Sequence, residues 1–157
     1  MASCQLTPPR SSDIQTEGEL WNNSKQTLCL EDRMVWKGAR SADSTETIEK
    51  DKTGELKHLA GSDDGSYAAL SYKIMDQGMC WVVAWENIKD KKNKVYTDIT
   101  DEPVDWGKVK NMLDTEGGVF YDTVKHEYGA EIKIDAHGNS PKMRATFELA
   151  VVPEMAE

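Results

Sequence analysis

Aromatic side chains are the groups in this sequence with the most chemistry to offer. Five tryptophans stand against two phenylalanines. Trp21, Trp36, Trp81, Trp85 and Trp106 are joined by Tyr67, Tyr72 and Tyr96. Trp and Tyr combine a flat apolar face with a polar edge, which suits sugar faces, choline-type cations and membrane interfaces. A strand must bury one of its faces, so part of this pool belongs to the core. In Met79-Cys80-Trp81-Val82-Val83-Ala84-Trp85, a period of two puts Trp81, Val83 and Trp85 on one face and Cys80, Val82 and Ala84 on the other. Trp81 and Trp85 are therefore assigned to the core. The ligand-binding aromatics are expected at Trp21, Trp36 and Tyr96, near strand ends and loops.

The titratable and nucleophilic groups are scattered. His58, His126 and His137 lie far apart, whereas a zinc site needs three or four converging ligands. Cys4, Cys29 and Cys80 are odd in number and lack metal-type spacing. Cys80 sits in the most apolar run, where an inert buried thiol is expected, because a reactive one needs an electropositive and partly open setting. Asp63-Asp64-Gly65 and the set Asp98, Asp101, Glu102 and Asp105 offer oxygen ligands, but neither has the spacing of a twelve-residue calcium loop. Neither a Gly-x-Ser-x-Gly elbow nor a Walker phosphate loop is present. An enzyme on this chain would have only His58, Tyr72, Glu86 or Asp98 as acid–base groups. No catalytic residue, metal ligand or cofactor is assigned.

The elements that position these groups are short and mostly extended. Residues 1–17 are polar, with Pro8-Pro9 and Ser11-Ser12, and read as a flexible tail before a domain over 18–157. Leu20, Thr27–Leu30 and Met34–Trp36 are β-type runs, broken at Asn22-Asn23-Ser24 and Glu31-Asp32. Residues 40–54 are turn-rich, and Glu55–Leu59 could form a short strand. Tyr67–Ile74 and Met79–Trp85 flank the turn Asp76-Gln77-Gly78, and the second of these runs has the continuous apolar character of a strand buried on both faces. Val95–Ile99 alternates. One helix is expected near 105–114, with Asp105 as N-cap, Trp106, Val109, Met112 and Leu113 at helical spacing, and Gly117-Gly118 as its stop. Two strands through Ala130, Ile132 and Ile134 and through Met143, Ala145, Phe147 and Leu149 close the chain as a hairpin. Strands at ~8–12 residue spacing without alternating helices indicate a mostly β fold, an antiparallel β-sandwich with one short helix.

Length and charge narrow the partners. A chain of 157 residues suits one domain. The formal charge of −9 disfavours nucleic acid and anionic membranes, both of which bind through Lys and Arg. Neutral lipids and sugars remain open as partners. The N-terminal residues lack an apolar signal region, and no run reaches the ~18 apolar residues of a membrane helix. These features suggest a reduced, cytoplasmic chain with free thiols and no transmembrane segment.

Several stretches, in order, resemble the plant jasmonate-induced protein family. Leu20-Trp21-Asn22-Asn23-Ser24 is similar to the start of its first strand, and Trp36-Lys37-Gly38 to its Trp-x-Gly step. Thr53-Gly54-Glu55 with His58, Gly65–Tyr72, Trp81–Trp85 and Asn93–Ile99 follow at similar gaps, and Trp106 opens a short helix there too. The family's long charged N-terminal segment is missing, and Ile88 stands where that family has Pro. The layout also resembles the aegerolysin and actinoporin sandwich, which binds sphingolipid or choline headgroups. The resemblance implies a non-enzymatic plant stress or defence protein that binds a glycan or lipid headgroup through aromatic residues. The alternatives are a small-molecule metabolic enzyme with a polar pocket on this fold, and a stress protein acting through a protein partner.

Overall fold

The computed structural model describes residues 14–40, 42–61 and 64–150. Eleven strands and one helix follow in chain order: β1 (Gln15–Asn23), β2 (Leu28–Lys37), β3 (Asp43–Ser44), β4 (Thr47–Ile48), β5 (Thr53–Leu59), β6 (Gly65–Ile74), β7 (Met79–Ile88), β8 (Lys94–Asp101), α1 (Trp106–Glu116), β9 (Phe120–Lys125), β10 (Tyr128–Ile134) and β11 (Lys142–Leu149). They build two sheets. One has the order β3-β5-β1-β11-β10-β9 and the other β4-β2-β6-β7-β8. This is the β-sandwich with one short helix that the alternation pattern indicates. No helix among the described residues is long and apolar enough to cross a membrane.

Strand alternation sorts each chain segment between core and solvent. In β5, Gly54, Leu56 and His58 point inward while Glu55, Lys57 and Leu59 face out. In β11, Met143, Ala145 and Phe147 are buried and Lys142, Arg144 and Glu148 are exposed. The core between the sheets is filled by Leu20, Leu28, Leu70, Tyr72, Trp81, Val83, Trp85, Ile99, Ile132 and Phe147 among others. Fully burying one such large apolar side chain stabilises by about 1.5–3 kcal/mol. The other face of β7 is buried as well, because α1 lies over the second sheet. Val109 and Leu113 of α1 pack on Ala69, Val82, Ala84 and Tyr96. Hence β7 reads as a continuous apolar run, with Trp81 and Trp85 on the face between the sheets.

Helix α1 starts where the sequence signals it. The Asp105 carboxylate accepts from the Lys108 amide, and the Gly117 amide donates to Leu113 and Met112 carbonyls. A Cβ on Gly117 would come within 2.5 Å of the Leu113 carbonyl oxygen, so only glycine fits there without a shift of the backbone.

The structure departs from the sequence expectations in several places. Gln15–Glu17, expected in the tail, are already strand, because Gln15 pairs with Leu59 and Glu17 with Lys57; residues 1–13 lie outside the described residues. Glu31 does not break the chain into two runs. It is absorbed as a β-bulge inside one continuous β2, between Leu30 and Asp32. The turn-rich 40–54 segment contributes the two short strands β3 and β4. Strand β9 was not expected: it pairs with β10 through Asp122 and Glu131, with Gly129 opposite Val124. The sandwich is also not wholly antiparallel, since β1 and β11 run parallel from Glu17↔Lys142 to Asn23↔Glu148. Cys29 and Cys80 are free thiols, and Cys4 lies outside the described residues.

Candidate functional site

Most of the potential catalytic groups are spent on internal bonds. At the end of the sandwich where β7 finishes, His58 of β5 and Ser66 of β6 are fully buried and their Nδ1 and Oγ lie 2.7 Å apart. A serine beside a histidine invites a nucleophile–base reading. The surrounding bonds refute it. Ser66 Oγ accepts from Thr16 Oγ1 at 2.9 Å and from Trp85 Nε1 at 2.9 Å, which leaves its own hydrogen for His58 Nδ1. His58 Nε2 then carries the proton and donates to the Ala39 carbonyl at 2.8 Å. Asn87 Nδ2 extends the chain to the Gln15 carbonyl at 3.2 Å. Burial holds the His58 pKa below the ordinary imidazole value, so the ring stays neutral. The result is a polar clamp between the two sheets. Gly38 is part of its geometry: its φ of 113° lies in the left-handed region, and a Cβ there would come within 2.7 Å of the His58 ring.

The other three acid–base candidates lie apart from it. Tyr72 faces the core and donates to the Thr45 carbonyl at 2.6 Å, and burial pushes its pKa up to about 12. Asp98 pairs with Lys125 at 2.8 Å, accepts from the Tyr96 hydroxyl at 3.1 Å and from the Ile99 amide at 2.8 Å. Glu86 is 4% exposed, with one carboxylate oxygen 3.5 Å from Lys91 Nζ and the other without a partner among the described residues. Tyr72 lies on the inner face of its sheet, Glu86 and Asp98 on the outer face. Glu31, Cys80 and Glu102 bring potential ligand atoms within 4.8 Å of one another. Burial first, then the two carboxylates, raise the Cys80 pKa to about 12, so the group there is a protonated thiol that donates to Glu102, and neither a nucleophile nor a ready metal ligand.

The three aromatics assigned to binding have different settings. Trp21 is half-buried on the outward face of β1; its Nε1 donates to Glu19 at 2.9 Å and the Arg144 guanidinium sits 4.8 Å over its ring. Trp36 is half-buried at the end of β2, on the outer face of the other sheet, with its ring 5.1 Å from Tyr67. The two lie on opposite outer faces and do not form one site. Tyr96 is only 3% exposed. Rather than sitting at an open strand end, it has β8 extending beyond it on both sides, α1 covering it, and its ring tilted against Tyr121 at 4.8 Å. Trp106 and Tyr67 were not assigned to binding, yet both line the α1 side: Trp106 Nε1 donates to Asp32 at 3.1 Å, and the Tyr67 hydroxyl donates to Asp114 in a short bond beneath Lys110. Their outward setting depends on how α1 lies over the sheet, which alternation alone does not reveal.

Among the described residues, concavities open to solvent on two parts of the surface. A trough of about 1100 Å³ crosses the outer face of the six-stranded sheet, lined by Glu17, Glu19, Glu55, Lys57, Lys133, Lys142 and Arg144. Its charges neutralise one another, as in the pairs Glu17–Lys142 and Glu19–Arg144. A smaller one of about 360 Å³ lies between the β7–β8 and β10–β11 loops, lined by Asn87, Lys89, Asp90, Lys91, Lys92, His137 and Asn139 among others.

No protein-family model and no curated protein sequence matches this chain. Among solved structures, the chain is similar to the crystal structure of the lipid-binding protein Nakanori, with a TM-score of 0.75 over 85% of this chain and 70% of that one, at 12% sequence identity. The likeness is one of fold.

Proposed function

We propose that this protein is a non-enzymatic binding protein for a membrane lipid headgroup, with Trp36 as its principal contact. The observation that carries the reading is the sandwich it shares with a protein described as lipid-binding. The site chemistry agrees in direction. The buried acid–base groups are paired inside the fold, while Trp36 keeps part of its ring at the end of a strand, backed by Tyr67 and Ile88. An amphipathic ring so placed suits the boundary between headgroups and acyl chains. The resemblance to jasmonate-induced proteins extends the proposal to a role in plant stress or defence. Binding to phospholipid vesicles by co-sedimentation tests the reading. Trp36→Ala is expected to weaken binding by more than tenfold, the loss of about 2 kcal/mol expected of a central ring, while leaving the melting temperature of a folded protein close to its original value. Unchanged vesicle binding by a folded Trp36→Ala protein would remove Trp36 from the site.

A second reading has its own observation. The trough on the outer sheet face is large, mixes charged and apolar groups and is flanked by Trp21, which suits a glycan lying across the strands. Binding of a glycan panel that falls with Trp21→Ala but not with Trp36→Ala would favour it.

A further inference from the structure

The net charge of −9 conceals an asymmetry between the two ends of the sandwich. Around the turn at 75–78, Glu31, Asp76, Asp101 and Glu102 gather with Lys73. Asp101 pairs with Met79, and the Glu102 amide donates to the Gly78 carbonyl. At the opposite end, Lys37, Arg40, Lys89, Lys91, Lys92 and Lys94 outnumber Asp64, Glu86, Asp90 and Asp135 among the described residues. The strand register places Lys37, Tyr67, Glu86 and Lys94 in one row across the sheet at this basic end, with Ile88 one step beyond. Three of these cations are engaged: Lys37 with Asp64 at 3.1 Å, Lys91 with Glu86 at 3.5 Å, and Lys94, which donates to the Asp114 carbonyl at 2.8 Å. Arg40, Lys89 and Lys92 are exposed and have no carboxylate partner among the described residues.

The loop bearing these lysines is held in shape. The Lys91 amide donates to Ile88 at 3.0 Å, and Asp90 adopts a φ of 66°. Asn93, almost fully buried, donates through its backbone to Ala136 at 3.0 Å and through its side chain to Asp135 at 2.9 Å. The Lys89 amide donates to the Asp64 carbonyl at 2.8 Å. The concavity of about 360 Å³ between the two loops is therefore a built feature. Lys89, Lys91 and Lys92 line it against the single carboxylate of Asp90, and Asn139 and His137 close it.

From this placement we infer that the basic end docks on an anionic phospholipid surface, with one headgroup phosphate seated between Lys89, Lys92 and Asn139. The inference rests on the lipid-binding reading and specifies it: Trp36 lies at the same end, so ring and cations address one surface together. The acidic far end then orients the molecule, because an anionic surface attracts one end and repels the other. This end differs from what the net charge alone implies, since charges beyond a screening length of ~10 Å contribute little at ordinary salt.

The test compares co-sedimentation with vesicles of phosphatidylcholine alone and of phosphatidylcholine containing phosphatidylserine. Binding is expected to be at least tenfold stronger to the second and to fall as salt rises. Replacing both Lys89 and Lys92 by Ala should cost roughly 25-fold on anionic vesicles, about fivefold per lysine, and leave the far-ultraviolet spectrum unchanged. Lys133→Ala, on the outer sheet face, should have no effect. Equal binding to both vesicle types would overturn the inference while leaving the lipid-binding reading intact. Binding to neither would sink both. Inorganic phosphate binding as tightly as the anionic vesicles would assign a free-anion site and overturn the membrane assignment.

Discussion

Ser66 is the residue on which the most buried polar groups depend. Its hydroxyl serves Thr16, His58 and Trp85 at once. Ser66→Ala strands those partners, at about 1–3 kcal/mol for each group left unsatisfied, and chemical denaturation should show a loss at the upper end of ordinary single-site effects. His58 gives the same clamp a pH dependence. Its folded pKa lies below the unfolded value near 6.5, so the unfolded chain takes up the proton first. Stability is therefore full above pH ~6.5, declines as the pH falls towards the depressed folded value, and levels off below it. Protonated His58 would also set a second donor against Ser66, whose two acceptor positions are already used. The difference in unfolding free energy between the natural protein and His58→Gln, measured across that range, should shrink as the pH falls; a constant difference would show that His58 does not titrate with unfolding. None of this was legible beforehand. Each histidine could be seen as isolated in sequence, but Thr16, His58, Ser66 and Trp85 come from four strands, and pairing among strands depends on register.

Elements whose signals are local were legible, and those defined by partners were not. Asp105 and Gly117 bracket α1 because capping is a short-range affair. Asp105→Ala should cost about 1 kcal/mol by thermal or denaturant unfolding, with the cost confined to the cover that α1 lays over Val82, Ala84 and Tyr96. No measurable loss would mean that packing of Val109 and Leu113, not the cap, sets the helix start. The β7 run announced burial on both faces through composition alone. Tyr96, by contrast, sits in a plain alternating strand, and its burial comes from α1 and Tyr121, which its own neighbours in sequence do not reveal. Strand β9 escaped for a related reason. Phe120 and Val124 are exposed while Tyr121 is only half-buried, so the strand shows no strong inward stripe and is defined mainly by its pairing with β10.

At the scale of the whole molecule, the parallel pair of β1 and β11 is the feature that joins the sandwich together. Strand β11 stands between β1 and β10, so without it the six-stranded sheet would fall into β3-β5-β1 on one side and β10-β9 on the other. It also supplies an inter-sheet contact: the Phe147 ring lies 5.5 Å from Trp81 of the facing sheet and 5.0 Å from Tyr128 on its neighbour strand. Isolated two-stranded pairs are marginal in water, and three strands or a packed face are needed for independent stability. The β9–β10 hairpin therefore has little reason to hold its place once β11 is gone. A chain ending at Pro141 is expected to lack a cooperative unfolding transition and to show exposed apolar surface by dye binding. Phe147→Ala separates this loss of pairing from loss of packing. It keeps every backbone bond of β11 and removes only the ring, so it should stay cooperative and lose about 3–5 kcal/mol. A cooperative transition in the truncated chain would show that β1 and β10 find each other without β11, and would transfer the closing role to the contacts that β8 makes with β9 and β10.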